Sequence, residues 1–164
     1  MFRNRLWYEL TQAKHNERYL CFLIAYNRRM VNSFNICIAI FSTAGIMGWK
    51  VWEFAPIAAC AIISAISIAK LIQPYIIPSE KQIEKLDKVC DFYFDQYFQF
   101  ERIFFDYDSN RITEVQAQEK YMALKQSERE INKIINEVHR NVNRKQHLKA
   151  EIESLTFFKQ SFNT

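Results

Sequence analysis

Histidine, cysteine and carboxylate side chains carry most enzyme chemistry, and their spacing here supports little of it. The chain has three histidines, His15, His139 and His147. None lies in an H-E-x-x-H sequence, which would place two imidazoles one helical turn apart to share a zinc ion. The four cysteines, Cys21, Cys37, Cys60 and Cys90, are far apart. They offer neither a zinc knuckle nor an evident disulfide framework, and the set fits a reducing cytoplasm. Glu137 near His139 reads as a solvated pair on a helix surface rather than an acid–base dyad. Asp91 and Asp95 have the i,i+4 spacing that puts two carboxylates on one helical face. An exposed face explains them better than a metal site. Both glycines, Gly45 and Gly48, lie inside an apolar run, so there is no glycine-rich loop to cradle a phosphate. The expectation is a protein that is not an enzyme and carries no metal or cofactor.

A different chemistry is available in residues 31–72. Residues 31–49 contain no charge, Lys50 and Glu53 interrupt briefly, and residues 54–69 are again uncharged. A bilayer core about 30 Å thick needs roughly 20 apolar helical residues, and about 17 can suffice. The second run reaches that length if it continues to Ile72, with Lys70 snorkelling toward the headgroups. Both runs are apolar around their circumference, which favours a transmembrane hairpin over a soluble pair of buried helices. On the first run Asn32, Asn35, Ala39, Ser42 and Thr43 fall on one side at about 100° per residue. Polar groups in lipid are costly unless they meet other helices or water, so this stripe is a candidate pore lining or helix interface. Two bland readings remain: Asn32 and Asn35 reach the inner interface, and Ser or Thr hydroxyls bond back to their own helix. On the second run Ala61, Ala65 and Ala69 form a small-xxx-small ladder suited to close approach. Cys60, Ser64 and Ser67 form a separate face. One hairpin offers each helix a single partner, so two packing faces imply a homo-oligomer in the lipid bilayer.

The remaining elements must position these runs. At 164 residues the chain is sized for one domain, and its near absence of glycine outside the apolar runs predicts long helices. The expected class is an all-α membrane protein. A net charge of +4 is mild and no basic strip with interleaved aromatics appears, which argues against nucleic acid as a partner. Residues 1–30 read as an amphipathic cytoplasmic helix, with Leu6, Leu10, Ala13, Leu20 and Ile24 near helical spacing. This arm either lies on the membrane surface or packs against the C-terminal helices. Arg28 and Arg29 precede the first run and hold that end inside, so both termini are expected in the cytoplasm. No cleavable signal peptide is expected, because the apolar run starts too late. Trp49 and Trp52 suit the outer interface, and Pro56 suits the first turn of the second span. Pro74 and Pro78 predict a kink or break where the hairpin, residues 31–78, ends.

Residues 79–164 read as a cytoplasmic tail of long helices. Ser79 is placed to cap a helix over 80–107. Its seam is Ile83, Leu86, Cys90, Tyr93, Tyr97, Phe100, Phe104 and Tyr107, at alternating spacings of three and four. Phe94, Phe98 and Phe105 are expected to widen that seam toward a second neighbour. Asp108, Ser109 and Asn110 mark a turn. A further helix follows, capped by Thr113 with Gln116, and carries Ala117, Tyr121, Leu124, Ile131, Ile135, Val138 and Val142, with Glu128 interrupting. At 141–145 the chain bends or continues into Leu148, Ile152, Leu155, Phe158 and Phe162. Short turns predict antiparallel neighbours.

A basic N-terminal helix, WYELTQAKHNERYL within it, a tight two-run hairpin and a long helical tail together resemble the SLATT family, the SMODS- and SLOG-associating two-transmembrane effector domains. The likeness is one of architecture and size over nearly the whole chain. It implies a bacterial inner-membrane effector of anti-phage systems that works with a nucleotide second-messenger synthetase or sensor protein and perforates the membrane when triggered. The chain has no recognisable separate nucleotide-binding domain. A non-conducting, membrane-anchored scaffold that recruits cytoplasmic partners is the competing expectation.

Overall fold

The computed structural model describes residues 2–47, 56–138 and 143–162. Among these residues the protein is all-α, with five helices and no strand: α1 (Phe2–Met47), α2 (Pro56–Ile76), α3 (Glu80–Asp108), α4 (Glu114–Val138) and α5 (Arg144–Phe162). Among the described residues no helix is long and apolar enough to cross a membrane. Gly48, Trp49, Trp52 and the 50–53 loop lie outside them, as do His139 and Val142.

The N-terminal arm and the first uncharged run are one helix rather than two. No proline occurs in α1 and its first glycine is Gly45, so nothing interrupts the ladder. At 1.5 Å per residue the helix is about 70 Å long. By contacts the chain divides into two compact units, one of Met1–Ile24 with Glu84–Thr164 and one of Ala25–Ile83.

The first unit is a four-helix bundle. Along α1 and α3 the partners run in opposite senses: Arg3 with Asp108, Trp7 with Phe104, Cys21 with Cys90. The α3–α4 pair is also antiparallel, through Phe100 with Tyr121, Gln96 with Glu128 and Lys85 with Glu137. Helix α4 therefore lies parallel to α1, pairing Arg5 with Tyr121 and Glu9 with Lys125. Helix α5 returns antiparallel to α1, with Trp7 on Phe162 and His15 on His147. The arm thus packs into the bundle, and Leu6, Leu10, Phe100 and Val89 are its most deeply buried large side chains.

Reciprocal caps start two helices. Gln82 N donates to Ser79 Oγ while Ser79 N donates to Gln82 Oε1, and Thr113 and Gln116 repeat the exchange. The α3–α4 turn places Asn110 at φ 55°, in the left-handed region that asparagine tolerates better than most residues. Residues 139–142, where the chain was expected to bend or continue, lie outside the described residues, and α5 begins at Arg144 with Asn143 Oδ1 accepting from Gln146 N.

Two expected faces are differently placed. Phe94, Phe98 and Phe105 are exposed, and Val89, Gln96 and Ile103 supply the second buried row of α3. On α5 the expected apolar row divides: Leu148, Ile152 and Leu155 are each more than half exposed, whereas Phe158 is buried and Phe162 packs against the core, and Gln146, Ala150 and Ser154 also face inward.

In the second unit the latter part of α1 faces α2 in antiparallel sense. Met30, Phe34 and Cys37 meet Ile77, Gln73 and Ala69 across an open apolar cleft. Helix α2 does not stop at Pro74 but carries it in its last turn, and the chain leaves helical geometry only at 77–79. A proline there removes one ladder bond near an end where few remain to be made.

Candidate functional site

The hairpin positions expected to line a pore or an interface are spread along exposed surface. Asn32, Asn35 and Ser42 on α1 are exposed, as are Ala61 and Ala65 on α2. The Thr43 side chain lies outside the described residues. Ala69 is half-buried in the cleft, so the alanine ladder begins outward and ends against α1. Ser67 Oγ donates to Ile63 O at 2.8 Å, the self-helix bond that uses the hydroxyl's one donor. Pro78 sits between α2 and α3. Exposed isoleucines and a leucine, Ile36, Ile40, Ile63, Ile68 and Leu71, share this unit.

The tail seam is brought together. Tyr93, Tyr97, Phe100 and Phe104 are all buried in the bundle. Tyr97 is more than apolar filler. Its hydroxyl donates to Glu101 Oε1 at 2.5 Å, and Lys14 Nζ lies 4.7 Å from its ring centroid. Burial, then the Glu101 hydrogen bond and charge, push the phenol's pKa upward and keep it protonated.

A polar seam on α1 escaped the sequence reading. Lys14 and Glu17 form an ion pair at 2.7 Å with their side chains almost wholly buried. Glu17 Oε2 has no well-aligned hydrogen bond, and Arg18 approaches it at 3.9 Å while reaching Glu153 on α5 at 3.6 Å. Position 17 is the missing member of the series 6, 10, 13, 20, 24, and a carboxylate in that gap was the available signal. One turn further, Cys21 and Cys90 meet with their sulfurs 2.9 Å apart.

Two more clusters tie helices together. Lys125 Nζ bridges Glu9 and Glu128 at 3.0 and 2.7 Å, and Tyr121 also donates to Glu9. Burial is the largest single influence on Lys125 and opposes its charge, but the hydrogen bonds to Glu128 and Glu9 together with their negative charges outweigh it and raise its pKa. Glu128, which breaks the apolar series in the sequence, is thus a bridge to Gln96 on α3. His15 and His147 contact through Nε2 atoms 3.3 Å apart. Burial, followed by the neighbouring His147, lowers the His15 pKa, and Glu151 opposes the shift.

Asp91 and Asp95 are exposed, and Glu137 pairs with Lys85 at 2.8 Å. Among the described residues no three histidine, cysteine or carboxylate groups converge as for a metal ion. The class that fold and site define is therefore a four-helix bundle with a buried ionic seam, joined to a helical hairpin. No family model, curated protein or solved structure matches the chain.

Proposed function

We propose that this protein is a bacterial inner-membrane effector of the SLATT type, in which the tail bundle receives a signal and the hairpin acts on the membrane. On this reading it forms a homo-oligomer. A nucleotide second-messenger synthetase or sensor protein triggers it, and the polar faces of neighbouring subunits then line a water-filled path in anti-phage defence. The observation that carries the proposal is α1 itself. One unbroken helix holds Leu6 and Leu10 in the bundle core and Asn32, Asn35 and Ser42 in the hairpin. A rearrangement of bundle packing then passes to the hairpin through the continuous α1 backbone, as one of two states biased by a partner.

Support for lipid around the hairpin comes from the uncharged runs at 31–49 and 54–69 and from the exposed isoleucines of both helices. Exposed apolar surface costs about 25 cal/mol per Å² in water, and large contiguous patches mark membrane or protein contacts. The outward stripe of Asn32 and Asn35, with outward Ala61 and Ala65, leaves faces for other copies of the chain.

The competing scaffold reading draws on a separate feature, the outward row Leu148, Ile152 and Leu155 on α5, which suits a recruited partner. One experiment separates them. The protein is induced in bacteria, membrane potential is followed with a dye, and retention in carbonate-washed membranes is measured. The parent is expected to stay with the membrane and depolarise cells, while Asn35→Leu and Ser42→Leu insert equally but depolarise much less. A parent that never depolarises, or leucine variants that match it, would leave the scaffold. Release of the parent by carbonate would remove the membrane reading altogether.

A further inference from the structure

Cys21 on α1 and Cys90 on α3 are separated by 69 positions in sequence, yet their sulfurs lie 2.9 Å apart. A covalent disulfide spans about 2.05 Å, so closing the gap takes less than about 1 Å of movement. The two thiols differ in setting. Cys21 is exposed, whereas Cys90 is buried and its Sγ–H donates to the Glu17 carbonyl at 3.6 Å. That difference assigns an order: an oxidant reaches Cys21 first, and Cys90 waits beside it.

We propose that Cys21 and Cys90 are a reversible oxidation site, closed to a disulfide by a hydroperoxide. The Cys21 thiolate attacks the peroxide oxygen, the O–O bond breaks, and the departing hydroxide takes up a proton to leave as water. Cys21 is then a sulfenic acid. The Cys90 sulfur attacks the Cys21 sulfur, an S–S bond forms and the S–O bond breaks. The Cys90 proton leaves with that hydroxide as a second water. With hydrogen peroxide the sum is two thiols and one peroxide to one disulfide and two waters, with two electrons passing from sulfur to oxygen.

The placement gives the bond a consequence. The bundle's α1 portion ends at Ile24 and its α3 portion begins at Glu84. The pair therefore stands close to both points where the backbone leaves the bundle, and the loop it closes contains the whole second unit. Oxidation staples α1 to α3 at that end. It burdens the unfolded chain with a long closed loop, the condition under which a disulfide stabilises most. This inference stands on bundle geometry and does not depend on the membrane reading.

The test uses the full chain, purified reduced, exposed to hydrogen peroxide and then alkylated. Mass spectrometry is expected to find one dominant linked peptide joining Cys21 to Cys90, reversed by a dithiol reductant, with Cys37 and Cys60 still alkylated. The oxidised protein should melt several degrees above the reduced protein. Cys21→Ser, a change at an exposed position, should abolish both the linked peptide and that shift, and Cys37→Ser should change neither. Free alkylation of Cys90 after peroxide, linkage scattered over all four cysteines, or Cys21 linked only between copies would overturn the proposal. So would a linked form that melts no higher than the reduced one.

Discussion

Lys14 Nζ stands 2.7 Å from Glu17 Oε2 inside the bundle, with only 6% and 7% of the two side chains exposed. The same ammonium lies over the rings of Tyr97 and Phe157, at 4.7 and 4.8 Å from their centroids. Two opposite charges taken out of water together cost little net stability, but one taken alone costs a great deal. Glu17→Leu strands the lysine and is expected to lose about 3–5 kcal/mol in denaturant unfolding. Lys14→Met should lose less, because Arg18 remains 3.9 Å from the orphaned carboxylate. The double variant should recover most of the loss. Additive losses in the double variant would show that the charges are not coupled.

Phe100 and Phe94 share α3 and differ in burial, 0% against 46% exposed. Phe100→Ala removes a ring from the bundle centre and should cost about 3–5 kcal/mol. Phe94→Ala forfeits chiefly its edge contact with Phe98, at 4.8 Å, and should cost about 1 kcal/mol. Equal melting shifts for the two variants would contradict the packing described for α3.

His15 makes bundle stability depend on pH. Its pKa in the folded chain lies below the ordinary 6.5, by burial first and His147 second, with Glu151 and Tyr19 also near the pair. The unfolded chain therefore takes a proton that the folded chain resists. Stability from this site is complete above 6.5 and is lost as pH falls from there toward the folded value. Thermal melting from about pH 8 to about pH 5.5 should show that decline. His15→Gln should flatten it across this window, and an unchanged slope in the variant would assign the dependence elsewhere.

Much of the tail was legible because its signals are local. The seam from Ile83 to Phe104 repeats at threes and fours, and it is buried along its length. Ser79 with Gln82 and Thr113 with Gln116 are contacts within four residues, which short-range chemistry decides. What was illegible depends on distant partners. The α5 row Leu148, Ile152 and Leu155 is more apolar than Ala150 and Ser154, yet it is the latter that face inward. The meeting of Cys21 with Cys90, and of His15 with His147, requires helices far apart in the chain, and no spacing rule joins them. At the junction of the arm with the first uncharged run composition changes while backbone geometry does not, so α1 runs through it.

The contacts of Trp7 with Phe158 and Phe162 set a delay on biosynthesis. Translation at about 5–20 residues per second makes those phenylalanines roughly 8–30 seconds after the tryptophan. Throughout that interval the nascent α1 presents Phe2, Leu6 and Leu10 with no α5 to cover their neighbour. The α3–α4 pair closes sooner, since Phe100 and Tyr121 are near in sequence. A ribosome stalled before α5 therefore holds a chain whose tryptophan has Phe104 beside it but lacks its α5 cover, a ready substrate for chaperones that bind exposed aromatic helix faces.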